Sequence, residues 1–363
     1  MNFKDYNELI INGLHFKGNE IVRYCEKSEY ENIKKVGQFM AEWLDDTPYI
    51  NLKTSGSTGT PKTIRAKKNN MLQSANATAL YFDFKRGQNA LLCLPVDYIA
   101  GKMMIVRALY SKLNLICIEP SLSPLEDIPE DMVIDFAPMT PMQLHGVINT
   151  GSVRNILFGG GPVSAELENA SQTLKTEIFH GFGMTETLTH IALRRVNGSN
   201  RSPVYHGLEG VRFTTDDLNC LIIQLPFLTV PIVTNDVVEL INEQSFIWKG
   251  RADHVINSGG IKLFPEGIEN KLGTTISNRF FMAGLPDKML GEKLCLFIEG
   301  SGFDTEGISA LGKQIDLFLE KYEKPKEIIF IDKFSITDSG KIQRAKTVKY
   351  FLEKIEIGAK NKN

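Results

Sequence analysis

The sequence predicts an α/β protein: a large N-terminal layered α/β domain with mainly parallel sheets, then a small, mobile α+β C-terminal domain. Three observations predict it. Through residues 1–250, apolar runs of strand length alternate with amphipathic segments of helix length, the pattern of strands joined by crossover helices. The apolar runs are close to continuous, which suits strands buried on both faces. Near WKGRADHVINSGG (248–260) two polar turns follow closely, and the remainder is shorter and mixed. The boundary is placed at Gly250, giving segments 1–250 and 251–363; 363 residues also exceed what one compact core usually takes.

The elements follow in order. ALLCLP (90–95), LNLICIE (113–119), VIDFAP (133–138) and VRNILFGGG (153–161) read as buried strands ending in turn residues. NNMLQSANATALYF (69–82) and SAELENASQTLK (164–175) read as helices. LIIQLPFLTVPIV (221–233) holds two prolines and is too short to cross a bilayer, so it is one or two buried strands. FPEGIENKL (264–272) is a helix opened by Pro265, and KLCLFIEG (293–300) and KEIIFID (326–332) are strands. GAKNKN (358–363) reads as disordered.

A net charge of −2 gives no electrostatic reason to expect nucleic acid or a membrane surface as partner. Five scattered cysteines without a Cys-x-x-Cys pair point to reduced, buried thiols in a cytoplasmic protein. The six histidines form no His-x-x-x-His pair, which argues against a histidine-held metal. The start, MNFKDYNELI, lacks the apolar run of a secretory signal.

TSGSTGTPK (54–62) is the most unusual stretch. Gly56 and Gly59 permit positive φ and close backbone approach, so successive N–H groups can cradle an anion. Thr54, Ser55, Ser57, Thr58 and Thr60 add hydroxyls, and Lys62 adds a charge. It is no Walker loop: the glycines are three apart, and YINLK (49–53) and KTIRA (62–66) flank it as strand-like arms. The plainer reading is a polar surface loop.

Four further stretches carry suitable chemistry, each with an ordinary alternative. Gly159, Gly160 and Gly161 end a strand and would let a flat ring lie against backbone; alternatively they form a plain strand–helix turn. In HGFGMTETLTH (180–190), Thr185 and Glu186 set a hydroxyl beside a carboxylate, able to hold a phosphate oxygen and Mg²⁺, or simply to cap a helix. Asp236 in TNDVVEL, at the edge of an apolar strand, could accept from two ribose hydroxyls or be merely solvated. GRADHVINSGGIKLFPEGIE (250–269) carries Arg251, Asp253, Gly259 and Gly260, and DSGKIQR (338–344) sets Lys341 behind a Ser–Gly turn. Loop lysines are usually surface charges.

These motifs stand in the order of the adenylate-forming superfamily, the acyl- and aryl-CoA synthetases, luciferases and peptide-synthetase adenylation domains, and the chain resembles it from about residue 50 to 345. The resemblance implies an enzyme that makes an acyl-adenylate from a carboxylic acid and ATP, then passes the acyl group to a thiol, usually coenzyme A. By motif, loop 54–62 would hold the β- and γ-phosphates, and Gly159–Gly161 would line the adenine site. Thr185 would contact the α-phosphate and Glu186 the Mg²⁺; Asp236 and Arg251 would hold the ribose. Lys341 would bridge the attacking carboxylate and the α-phosphate. Asp253 would be the hinge about which segment 251–363 rotates, exchanging Lys341 for the strand near Gly259 and Gly260, past which the pantetheine arm would run.

LPVDYIAGKMMIVRAL (94–109) matches the superfamily's Pro-x-x-His-x-x-Gly segment, with Tyr98 in place of His, and so would line the acyl pocket. Lys102 and Arg107 follow on a predicted helix; either would suit a second carboxylate on the substrate, unless both face solvent. The compact length and motif wording look like the short o-succinylbenzoate–CoA ligases of menaquinone biosynthesis. Such an enzyme's acid carries two carboxylates, and the benzoate would need Lys102, Arg107, Arg194 or Arg195. The alternatives are another aryl- or acyl-CoA ligase, an adenylating enzyme that loads a carrier protein, or a non-catalytic nucleotide binder. Only 53 residues precede the phosphate loop, fewer than is usual, which bears on whether the homodimer of relatives carries over.

Overall fold

The computed structural model describes residues 1–53, 63–146, 153–161, 163–273, 275–336 and 342–360. The chain opens with the hairpin β1 (Glu8–Ile11) and β2 (Leu14–Lys17), then α1 (Asn19–Glu26) and α2 (Glu31–Leu44). β3 (Tyr49–Lys53) and β4 (Thr63–Lys67) pair antiparallel from Tyr49↔Lys67 to Lys53↔Thr63, so the two arms flanking the 54–62 loop are strands, as their sequence suggests. α3 (Lys68–Tyr81), β5 (Asn89–Leu92), α4 (Ile99–Ser111), β6 (Asn114–Cys117), β7 (Ile134–Met139), α5 (Pro141–Gly146), β8 (Val153–Phe158), α6 (Ala165–Ala170) and β9 (Glu177–Gly183) continue the alternation. β10 (His190–Arg195), β11 (Val204–Gly207), β12 (Arg212–Thr215), β13 (Cys220–Gln224), β14 (Ile232–Asn242) and β15 (Ser245–Arg251) complete the large sheet.

That sheet runs β12-β13-β14-β15-β11-β10-β9-β8-β7-β5-β6-β1-β2. Its β9-to-β1 part is parallel, as the helix-linked runs predict. From β9 to β12 the pairs are antiparallel, with no crossover helix between their strands and with β11 lying beside β15. The 221–233 run divides between β13 and β14. α6 is shorter than predicted. Ser171 and Gln172 side chains bond the Glu168 carbonyl at 2.7 and 2.5 Å, competing with the helical ladder, and the chain passes into a 3₁₀ turn.

A second sheet follows: β16 (Ile256–Ser258) and β17 (Ile261–Leu263) in a hairpin, then α7 (Pro265–Leu272), β18 (Phe280–Asp287), β19 (Gly291–Glu299), α8 (Thr305–Phe318), β20 (Glu327–Ile331) and α9 (Arg344–Lys360). Helix α9 continues through residues 358–360, against the expectation of disorder there: the apolar spacing of Val348, Phe351 and Leu352 packs it on Phe297 and Phe334. The hydrophobic clusters divide along the chain. Those of the large sheet use residues up to Trp248, and those of the small sheet begin at Ile256. All five cysteines are buried. No helix among the described residues is long and apolar enough to cross a membrane.

Candidate active site

The candidate site lies at the C-terminal ends of β8 and β9, where parallel strands leave backbone groups open. Gly160 takes φ +81°, which favours glycine, and a Cβ on Gly159 would come within 3.2 Å of the Gly181 carbonyl, a tight approach between the β8 end and β9. His180 on β9 stacks on Phe158 at 4.7 Å. Its Nδ1 accepts from the Tyr205 hydroxyl at 2.7 Å, which leaves Nε2–H to donate to the Gly161 carbonyl at 3.0 Å. Burial, with Arg194 nearby, pushes its pKa down to about 3, so the ring is neutral. Beside it opens a cavity of about 390 Å³ lined by Val163, His180, Arg194, Tyr205 and Trp248, with Asn270 of α7 across it.

After β9 comes a 3₁₀ turn, Thr185–Thr187. The Thr187 hydroxyl accepts from the Met184 amide at 2.9 Å and lies 2.7 Å from the Thr189 carbonyl, so Thr187 is structural. Thr185 and Glu186 make no side-chain hydrogen bond among the described residues, and Glu186 is exposed. One free carboxylate next to a hydroxyl fits a magnesium ion held mainly by phosphate oxygens and water, not by an all-protein cage. Among the described residues no three acidic, His or Cys side chains form such a cage. Leu188 closes the turn at φ +70°, a strained value for a leucine, and redirects the chain into β10.

Asp236 sits inside β14, not at its edge, and its cross-strand neighbour is Arg251 at the end of β15. Register explains this: TNDVV continues the ladder through the acidic residue. Its Oδ1 accepts from Trp248 Nε1 at 2.9 Å. Burial raises its pKa, while the Trp248 donor and the Arg251 charge work against that. Arg251 Nε in turn donates to Asp253 Oδ1 at 2.9 Å. The two ribose candidates and the hinge candidate therefore form one contiguous chain of contacts.

On α4, Gly101 lies so close to the backbone of residues 95–96 after β5 that a Cβ would meet the Pro95 carbonyl oxygen at 2.4 Å. Tyr98, at the helix N-cap, is 55% exposed. The two cations diverge, because five helical residues turn through about 140°. Lys102 points at α2, 3.8 Å from Glu42 and over the Phe39 ring, which removes it as a pocket cation. Arg107 points the other way, into the protein, and is 2% exposed. Its Nε donates to Thr78 Oγ1 at 3.4 Å and its Nη2 to Thr189 Oγ1 at 2.7 Å, with His190 Nδ1 3.4 Å away. No carboxylate among the described residues pairs with it, and Nη1 has no partner among them. Burial pushes its pKa down to about 9, which still leaves it charged at neutral pH. Arg194 is paired with Glu168 at 2.5 Å and Arg195 with Glu177 at 2.9 Å, so neither is free for substrate.

The small sheet meets this region through α7. His254 pairs with Glu266, and Arg344 donates to both oxygens of Glu269 at 2.8 and 2.7 Å. Gly259 and Gly260, at φ +61° and +85°, make the two-residue turn between β16 and β17. Lys341 and the loop residues Thr54, Ser55, Gly56, Ser57, Thr58, Gly59 and Lys62 lie outside the described residues. The sequence reading missed Trp248, His180, His190 and Arg344. The signal for two of them was a polar ring inside an apolar strand pattern.

A family model for AMP-binding enzymes matches residues 8–208. A curated 2-succinylbenzoate–CoA ligase from Listeria monocytogenes is 27% identical over 358 residues, covering 90% of this chain and 74% of its own length. The solved acyl-CoA synthetase (AMP-forming)/AMP-acid ligase II-like protein from Dyadobacter fermentans is 32% identical, with a TM-score of 0.62, covering 92% of this chain and 98% of that one. The O-succinylbenzoate coenzyme A synthetase from Bacillus subtilis, solved with ATP and magnesium, is similar in fold at 22% identity and TM-score 0.68, covering 82% of this chain and 69% of that one.

Proposed function

Because the chain belongs to the AMP-binding enzyme family, we propose that it is an ATP-dependent, AMP-forming acid–CoA ligase converting 2-succinylbenzoate to its coenzyme A thioester. The observation that carries the substrate is Arg107. A buried guanidinium without an anion is costly, and such charges persist where a partner arrives with the ligand. A plain fatty acid brings no anion beyond the reacting carboxylate; a succinylbenzoate brings one on its ring. The curated relative's name agrees.

In this reading the adenine lies against Gly159–Gly161 beside His180, and the ribose hydroxyls meet Asp236 and Arg251. The loop 54–62 takes the terminal phosphates. Thr185 donates to the α-phosphate, and Glu186 holds the magnesium, which supplies positive charge against the developing pyrophosphate. A carboxylate oxygen attacks the α-phosphorus and pyrophosphate leaves; two anions must approach, so positioning and aimed cations carry the rate. Lys341 is the cation between them. The segment 251–363 acts as a lid hinged at Asp253, and its rotation brings Gly259 and Gly260 to line the pantetheine channel. The thiolate then attacks the acyl carbonyl and AMP leaves. Buried, separate thiols suit a cytoplasmic enzyme.

The test is pyrophosphate release with ATP, Mg²⁺ and 2-succinylbenzoate, with and without coenzyme A, against benzoate and a medium-chain fatty acid. Turnover confined to 2-succinylbenzoate, with thioester only when coenzyme A is present, supports the reading. Release with another acid replaces the substrate, and adenylation without thioester turns attention to a carrier-protein acceptor.

A further inference from the structure

Arg107 does not stand alone, and its neighbours are as unusual as it is. His190 opens β10 buried, with Thr78 Oγ1 3.2 Å from Nε2, and Thr189 Oγ1 3.2 Å and Arg107 Nη2 3.4 Å from Nδ1. The protons in this cluster can be assigned one by one. Arginine only donates, so Nδ1 must accept and Nε2 carries the hydrogen. Thr78 Oγ1 donates to the Ser74 carbonyl at 3.2 Å, so it accepts from Nε2–H and from Arg107 Nε. Thr189 Oγ1 accepts from Arg107 Nη2 and donates to Nδ1. Apart from the Arg107 Nη1 edge, every donor finds an acceptor in one arrangement, with the imidazole neutral. Burial and the Arg107 charge both oppose a second proton on the ring.

We propose that His190 is a positioning residue for acid recognition: a fixed neutral acceptor that, with Thr78 and Thr189, locks the Arg107 guanidinium so that its Nη1 edge faces the non-reacting carboxylate of the substrate. The proposal rests on the reading of Arg107 as that carboxylate's partner. An arginine side chain is long and rotamer-rich, and a fork held on two sides loses less freedom on meeting its anion. Thr189 and His190 follow the Thr185–Leu188 turn directly, so the same segment orients the α-phosphate contact and the acid clamp. Carboxylate selection and phosphate placement thus share one rigid piece of backbone.

The experiment compares kcat/KM for 2-succinylbenzoate with that for 4-oxo-4-phenylbutanoate, the same acid without the ring carboxylate, in the full-length protein. His190→Leu should lower the diacid-to-monoacid ratio about tenfold, the scale of one hydrogen bond to a charged group. His190→Asn, which puts Oδ1 where Nδ1 sits, should restore most of it; His190→Gln, which places its oxygen near Nε2, should not. If the leucine variant does not fold, the Asn–Gln pair decides, and equal ratios in the two overturn the proposal. Arg107→Met separates the two claims. A collapsed ratio there with an intact one in His190→Leu and His190→Gln removes the positioning role and leaves the Arg107 reading standing. An intact ratio in Arg107→Met removes that reading, and this inference with it. The ¹⁵N shifts of His190 should show a neutral Nε2–H ring at pH 6; a cationic ring there also overturns the proposal.

Discussion

Trp248 Nε1 donates to Asp236 Oδ1 at 2.9 Å between paired strands β14 and β15. The indole holds in place a carboxylate whose burial pushes its pKa up. Trp248→Phe keeps the ring and removes the donor. The KM for ATP should rise about tenfold, the value of one hydrogen bond to a charged group, with kcat changing far less. An unaltered KM for ATP would separate Asp236 from the ribose.

Gly101 is constrained by backbone, not by a movable side chain. Gly101→Ala puts a Cβ 2.4 Å from the Pro95 carbonyl oxygen. It should destabilise the large domain by about 1–3 kcal/mol or more, the usual cost of overpacking, read as a lowered urea midpoint. A midpoint equal to wild type would mean that α4 can shift away from the 95–96 backbone.

Arg344 ties the start of α9, three residues beyond Lys341, to Glu269 on α7. Removing one partner of such a largely buried pair costs about 3–5 kcal/mol. Glu269→Ala should loosen segment 251–363, the proposed lid, to proteolysis. On the proposed role of Lys341 in the first half-reaction alone, it should also slow acyl-adenylate formation more than thioester formation from supplied acyl-adenylate. Equal slowing of both would indicate a general loss of lid structure.

Two largely buried histidines set an acid limit on stability. Burial holds His180 at about 3 and His190 well below 6.5, so both stay neutral when folded and take up a proton on unfolding. The unfolded chain then binds more protons below pH 6.5. The stability these groups contribute is full above that value and lost as pH falls toward the lowered folded values. His190→Asn should flatten the slope of unfolding free energy between about pH 5 and 6 by up to about 1.4 kcal/mol per pH unit. An unchanged slope would mean His190 is protonated in the folded protein.

The alternation of strands and helices was legible because burial on both faces leaves long apolar runs, and so was the order of the motifs. The antiparallel half was less so: β13 and β14 sit in one apolar stretch that shows no register. Asp236 looked like an edge acid because sequence carries no cross-strand partner; Trp248 and Arg251 provide it. Lys102 and Arg107 looked equivalent as two cations on one helix. Only the helix's setting against α2 on one side and α3 and β10 on the other separates them. His190 was hidden for the same reason, since its meaning lies in residues 78 and 107, far away in the chain.

The central claim is that the buried Arg107 charge selects a diacid. The direct measurement is kcat/KM for 2-succinylbenzoate and for 4-oxo-4-phenylbutanoate in wild type and in Arg107→Met. Wild type should favour the diacid strongly, and the methionine variant should lose that preference by about 100-fold, as expected when one partner of a buried ion pair is removed. Equal preference in the two proteins would contradict the account, leaving an AMP-binding enzyme whose acid is recognised elsewhere.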